Sequence, residues 1–104
     1  MTIEEIEPKE AMADVQSGES IFIDVREPYE LDEVKYGMNY MHIPLGQIQD
    51  RIGEIPKDKM VIVGCRSGAR SMNACMFLKM NGFENVKNLE GGIMNWLETG
   101  MPVG

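Results

Sequence analysis

Apolar positions along the chain recur at two periods, and the switching between them lays out a series of short strands and helices. Ile3 and Ile6 bracket acidic residues and predict a short edge strand. Pro8 stands where a first helical position falls, and Ala11, Met12 and Val15 follow at helical spacing until Gly18 closes the segment. The run from Ser20 to Val25 is rich in β-branched residues and apolar on both faces, as a buried parallel strand requires. Pro28 to Val34 predicts a short helix with acidic first turns, and Lys35 to Tyr40 carries turn residues and reads as loop. Met41 to Pro44 predicts a very short strand stopped by proline. Leu45, Ile48 and Ile52 predict a short amphipathic helix, ahead of a polar turn at Ile55 to Asp58.

The clearest strand is Met60 to Val63. Beyond it Ser71, Ala74, Cys75 and Leu78 form one helical stripe with Phe77 beside it. Asn81-Gly82 ends that helix, which is apolar enough to be expected well buried. Val86 to Leu89 predicts a last strand, followed by a helix on which Ile93, Trp96 and Leu97 share a face and which Gly100 and Pro102 terminate. Strands and helices alternate throughout. This predicts an α/β fold over residues 1–104 as one domain, a parallel sheet with helices on both faces.

Composition narrows the function classes. The chain has 104 residues, 43% hydrophobic and 26% charged, which is the balance of a globular protein. No apolar run approaches the roughly 20 residues that a membrane helix needs. The acidic N-terminal stretch lacks a basic segment followed by an apolar one, so a cytoplasmic location is expected and a membrane partner is not. A net charge of -7 argues against a nucleic-acid partner, whose phosphates call for clustered Lys and Arg. Cys65 and Cys75 lie ten positions apart and His42 is the single histidine. That matches neither zinc-ligand spacing nor a C-x-x-C pair, so no metal or cofactor is expected, and in a reducing compartment no disulfide.

The candidate chemistry sits where the clearest strand ends. Cys65 closes the apolar run, and Arg66, Ser67, Gly68, Ala69, Arg70 and Ser71 follow. In parallel sheets ligands bind beyond the carboxyl ends of strands. Small residues there let successive backbone N–H groups curl around an anion, and the helix starting near Arg70 or Ser71 adds further unpaired N–H groups. Such a setting, with arginines beside it, lowers a cysteine pKa from about 8.5 to between about 3.5 and 7.5. Cys65 is therefore read as a nucleophile for an anionic substrate, ahead of the alternative that it is a small buried hydrophobe. Cys75, inside an apolar helix, is read as inert core. Asp24 and Arg26 point to one side of their strand end and are read as a structural ion pair ahead of a chemical role; His42, with no orienting carboxylate at a readable spacing, is read as structural.

Three segments together resemble the single-domain rhodanese (thiosulfate sulfurtransferase) family: I-F-I-D-V-R-E-P-Y-E from Ile21, V-G-C-R-S-G-A-R-S from Val63, and N-L-E-G-G-I-M-N-W from Asn88. The resemblance implies a central parallel five-stranded sheet flanked by helices, and a Cys65 that carries a persulfide. It implies that the loop Arg66 to Arg70 holds the terminal sulfur, with Gly91, Gly92 and Trp96 as a packing signature. The implied partners are a small anionic sulfur donor such as thiosulfate and an acceptor that is cyanide or a thiol, a protein sulfur acceptor included. The chain departs from the family pattern at Lys35-Tyr36, where Gly-His is common, and at Asn39-Tyr40, where Gly-Ala is common. Two rivals remain. A cysteine phosphatase or arsenate reductase usually places five residues between Cys and Arg, whereas here Arg66, Ser67, Gly68 and Ala69 make four. A non-catalytic interaction module would be expected to lose the loop cysteine, and between it and the enzyme stands a sulfur relay, in which cyanide is only a convenient acceptor and the partner is another protein's thiol.

Overall fold

A computed structural model describes residues 2–104. The elements are β1 (Glu4–Ile6), α1 (Pro8–Gln16), β2 (Ser20–Asp24), α2 (Pro28–Glu33), β3 (Met41–His42), β4 (Met60–Gly64), α3 (Ala69–Met80), β5 (Val86–Leu89) and α4 (Gly92–Glu98). The five strands form one sheet in the order β1-β5-β4-β2-β3, with every pairing parallel. The most apolar strand, β4, takes the central place, where both faces are covered. β1, with two glutamates in three residues, takes an edge as the sequence predicts.

Alternation along the strands divides the interior in two. Ile23, Val61 and Val63 face Ala74, Cys75 and Leu78 of α3, while Phe22, Ile62 and Leu89 face Ala11 of α1 and Ile93 and Trp96 of α4. Helices therefore cover both faces. The register pairs Asp24 with Gly64, so β2 and β4 end side by side. Val25 donates to the Gly64 carbonyl at 3.0 Å, and Cys65 leaves the sheet at its carboxyl edge.

Three sequence expectations change. The segment around Leu45, Ile48 and Ile52 is two 3-10 turns, Leu45–Gln47 and Ile52–Glu54, instead of an amphipathic helix. Gly46 and Gly53 weaken a continuous α-helix there. Its apolar residues still reach the core, Ile48 being buried and Leu45 and Ile52 packing against it. Leu97 is 48% exposed, because the seam of α4 runs through Ile93 and Trp96 three apart and leaves the next residue about 100° round the helix. On α3 the predicted stripe Ser71, Ala74, Cys75 and Leu78 is buried with Phe77 half-buried beside it, but the helix as a whole is less buried than expected, since Met76 and Met80 face outward.

Candidate active site

The end of β4 and the start of α3 are joined by Cys65 to Gly68, and Gly68 adopts φ +104°, a conformation that a side chain disfavours. This turn folds the chain back over the cysteine sulfur. Cys65 Sγ accepts N–H bonds from Gly68 at 3.1 Å and Ser71 at 3.4 Å, and lies 3.3 Å from the Ser71 hydroxyl. Cys65 is buried, so these groups line the immediate surroundings of its sulfur. Burial pushes the Cys65 thiol up, and hydrogen bonds from the Ser71 hydroxyl and the N–H groups of Ser71, Gly68 and Ser67 outweigh it, leaving the thiol below its ordinary range.

The arginines contribute differently from the sequence expectation. Arg66 is exposed and makes no side-chain hydrogen bond or ion pair with the described residues. Arg70 forks onto Glu30, Nη1 to Oε2 at 2.7 Å and Nη2 to Oε1 at 2.8 Å. Glu30 also accepts the Glu27 N–H at 2.8 Å. The Arg70 side-chain hydrogen bonds, working against burial, hold its carboxyl at about 2. The loop is thus polarised chiefly by backbone N–H groups and one hydroxyl.

Behind the loop stands a second layer that the sequence does not announce. Asn88, at the end of β5 and buried, donates through Nδ2 to the Gly68 carbonyl at 3.0 Å and to a Glu5 carboxylate oxygen at 3.3 Å. Those two acceptors fix the amide orientation, and its Oδ1 meets the Ser71 hydroxyl in a short hydrogen bond. The Cys65 carbonyl accepts from the Tyr36 hydroxyl at 2.8 Å and from the Ile93 N–H at 2.9 Å, and the Arg66 carbonyl accepts from the Met94 N–H at 3.1 Å. Gly92 permits that last contact. Its φ is +58°, and a Cβ there would meet the Cys65 and Arg66 carbonyl oxygens at 2.5 Å. Burial, and the nearby Asp24, push the Tyr36 hydroxyl above its ordinary range, so it stays a donor.

Each sequence-predicted site residue now has a place. Cys65, Gly68 and Ser71 converge on one sulfur; Ser67 adds an N–H; Ala69 opens α3; Arg66 and Arg70 flank the loop in different states. Asp24 and Arg26 form a buried pair, with Nη2 to Oδ2 at 2.9 Å. Arg26 also donates to the carbonyls of Glu30 at 3.3 Å and Val34 at 3.0 Å, and its guanidinium lies 5.3 Å from the centre of the Tyr36 ring. The pair holds α2 and Tyr36 in place. His42 Nε2 bonds the Arg26 carbonyl at 2.7 Å, a structural contact. Cys75 is a free buried thiol, pushed up to about 12 by burial first and by Glu5 and Cys65 after it. Glu30, Asn88 and Tyr36 were missed. Asn88 sits one residue before the end of β5 and meets Gly68 across 20 positions, and Glu30 meets Arg70 across 40; neither pairing has a local signal.

Comparison with known proteins agrees with this architecture. Residues 7–99 match the Rhodanese-like domain family. A sulfurtransferase of Allochromatium vinosum is 41% identical over 85 residues, covering 80% of this chain and 77% of that one. A tRNA uridine(34) hydroxylase of Erwinia tasmaniensis is 34% identical over 104 residues, covering 90% of this chain and 29% of the longer protein. The crystal structure of a rhodanese-related protein from Thermoplasma volcanium superposes with a TM-score of 0.87 at 32% identity, covering 97% of each chain. No helix among the described residues is long and apolar enough to cross a membrane.

Proposed function

The chain belongs to the rhodanese-like family, and from that premise we propose that it is a sulfurtransferase in which Cys65 carries the transferred sulfur as a persulfide. The observation that carries the reading is the loop itself: one cysteine sulfur at the end of a central strand, met by the N–H groups of Gly68 and Ser71 and by the Ser71 hydroxyl. Such a cradle of fixed donors favours a sulfur anion at the position of Sγ.

The reaction is a double displacement. The Cys65 thiolate attacks the outer sulfur of thiosulfate or a related sulfane donor. An Sγ–S bond forms, the donor S–S bond breaks, and sulfite leaves with the electron pair. The terminal sulfur of the persulfide, now the anionic atom, is held by the loop N–H groups. Cyanide or a thiolate, carried by a small molecule or by another protein, then takes that sulfur and returns Cys65 to the thiolate. Sulfite is a leaving group acidic enough to depart without a general acid, so His42, tied to the Arg26 carbonyl, is not needed for chemistry.

Incubation with thiosulfate followed by intact mass measurement tests the reading. Wild type gains one sulfur atom that cyanide removes, and Cys65→Ser gains none; a wild type that gains none from thiosulfate or from any other sulfane donor, or a Cys65→Ser that gains as much, overturns it. Hydrolysis of an aryl phosphate that disappears in Cys65→Ser would favour the phosphatase reading instead. The four residues between Cys65 and Arg70, and an Arg70 already forked on Glu30, make a poor cradle for a tetrahedral phosphoryl group. The hydroxylase named for the longer relative is not carried over, since this chain spans 29% of that protein.

A further inference from the structure

Resting on that sulfur-transfer reading, we propose that Glu30 is a specificity-determining residue: by closing the Arg70 guanidinium in a forked ion pair it directs the site toward singly charged sulfane donors and away from dianions such as thiosulfate. The two terminal nitrogens of Arg70 are the fork that would otherwise receive a sulfonate, because planar bidentate pairing is how guanidinium binds such groups. Each gives one N–H to Glu30, at 2.7 and 2.8 Å, so the end-on fork between them is occupied. The Glu30 side chain is only 6% exposed and is held from its own helix start by the Glu27 N–H at 2.8 Å. A donor that took Arg70 for itself would leave a buried carboxylate without its counter-charge, which is costly.

The remaining electrostatics point the same way. Arg66 is the loop guanidinium with no side-chain partner among the described residues, so the mouth of the loop offers one uncommitted positive charge. The protein as a whole carries -7, which repels a dianion more than a monoanion during approach. The donor class that matches is a monoanion with a terminal sulfane sulfur, such as a thiosulfonate, R–SO2–S⁻. In its reaction Sγ⁻ attacks the terminal sulfur, an Sγ–S bond forms, the S–S bond to the sulfonyl group breaks, and the sulfinate R–SO2⁻ leaves with the pair. Charge is the same on both sides, and no external oxidant or reductant enters.

Thiosulfate and the methanethiosulfonate ion make a matched pair of probes, differing in one charged oxygen against a methyl group. Sulfite and sulfinate differ as leaving groups, so the readout is the change in the ratio of their kcat/KM values for loading Cys65, followed by intact mass. Glu30→Gln, checked for an intact fold by circular dichroism, is expected to raise thiosulfate relative to methanethiosulfonate about tenfold, the order of one freed charge at close range in a partly solvated site. In wild type, added potassium chloride is expected to speed thiosulfate loading more than methanethiosulfonate loading, as screening relieves repulsion; this measurement stands alone should Glu30→Gln not fold. An unchanged ratio in a folded Glu30→Gln protein, or thiosulfate loading that salt slows the more, overturns the role of Glu30 while leaving sulfur transfer in place. Failure of both donors to load wild type removes sulfur transfer itself, and this role with it.

Discussion

The Ser71 hydroxyl has one proton and two neighbours that accept it, Asn88 Oδ1 and Cys65 Sγ. While Cys65 is a thiol, its own S–H can point at Ser71 Oγ and the hydroxyl proton can stay with Asn88. Once it is a thiolate, the hydroxyl proton is best spent on sulfur, because a hydrogen bond to a charged group is worth more than one to an amide. Ser71→Ala is therefore expected to move the pH profile of Cys65 alkylation by iodoacetamide upward by about one pH unit, the equivalent of one such bond. Asn88→Ala separates the two roles. It deprives the buried Ser71 hydroxyl and the Gly68 carbonyl of partners and is expected to cost about 1–3 kcal/mol in urea unfolding. Its alkylation profile should not move upward, since Ser71 keeps its proton for the sulfur. At this scale the sequence named Cys65, Gly68 and Ser71 through a local turn signal. It could not name Asn88 or Tyr36, whose contacts with the loop span 20 and 29 positions.

Among the elements, α4 is a brace for the loop as well as a cover for the sheet. Its first N–H groups hold the Cys65 and Arg66 carbonyls, and this closeness exists because Gly92 has no Cβ. Gly92→Ala combines a left-handed φ with backbone contacts at 2.5 Å that no rotamer can relieve. It is expected to lower stability by at least about 2 kcal/mol, and to slow Cys65 alkylation at fixed pH because the loop must shift. The Gly91-Gly92 pair thus does more than the packing and tight turn that the resemblance implied. Most elements were legible because each buries one apolar set at its own period, as Pro8 at a helix start and Met60 to Val63 as a strand illustrate. The two 3-10 turns were not, since Leu45, Ile48 and Ile52 meet the core equally well from a broken helix. Periodicity records which residues face inward and is silent on how continuous the backbone between them is.

For the whole molecule, two ion pairs tie α2 to the sheet and to the loop, and they respond differently to change. Removing one partner of the buried Asp24–Arg26 pair leaves a guanidinium only 2% exposed without a counter-charge, so Asp24→Ala is expected to cost about 3–5 kcal/mol in urea unfolding. The Glu30–Arg70 pair is sensitive to pH. Glu30 is held at about 2 against an ordinary 4.5, so its contribution is full above about pH 4.5 and is lost as pH falls through 2. Water around the one-third-exposed Arg70 screens the pair, which is expected to contribute about 1 kcal/mol. Glu30→Gln is expected to unfold more easily than wild type at pH 7, with the gap closing toward pH 2; an equal gap at both pH values would show that the carboxylate charge is not what stabilises the pair. By itself the sequence determined the α/β class, the order of the elements, the rhodanese resemblance and the position of Cys65 at the end of the clearest strand, because each follows from short-range periodicity, turn residues and contiguous motifs. Tertiary structure alone decided which charges remain available. Arg66 and Arg70 are equivalent in the sequence, yet folding brings α2 alongside the loop, commits Arg70 to a carboxylate 40 positions away and leaves Arg66 exposed. Side-chain pairing across such a distance depends on how layers pack, and no local pattern carries it.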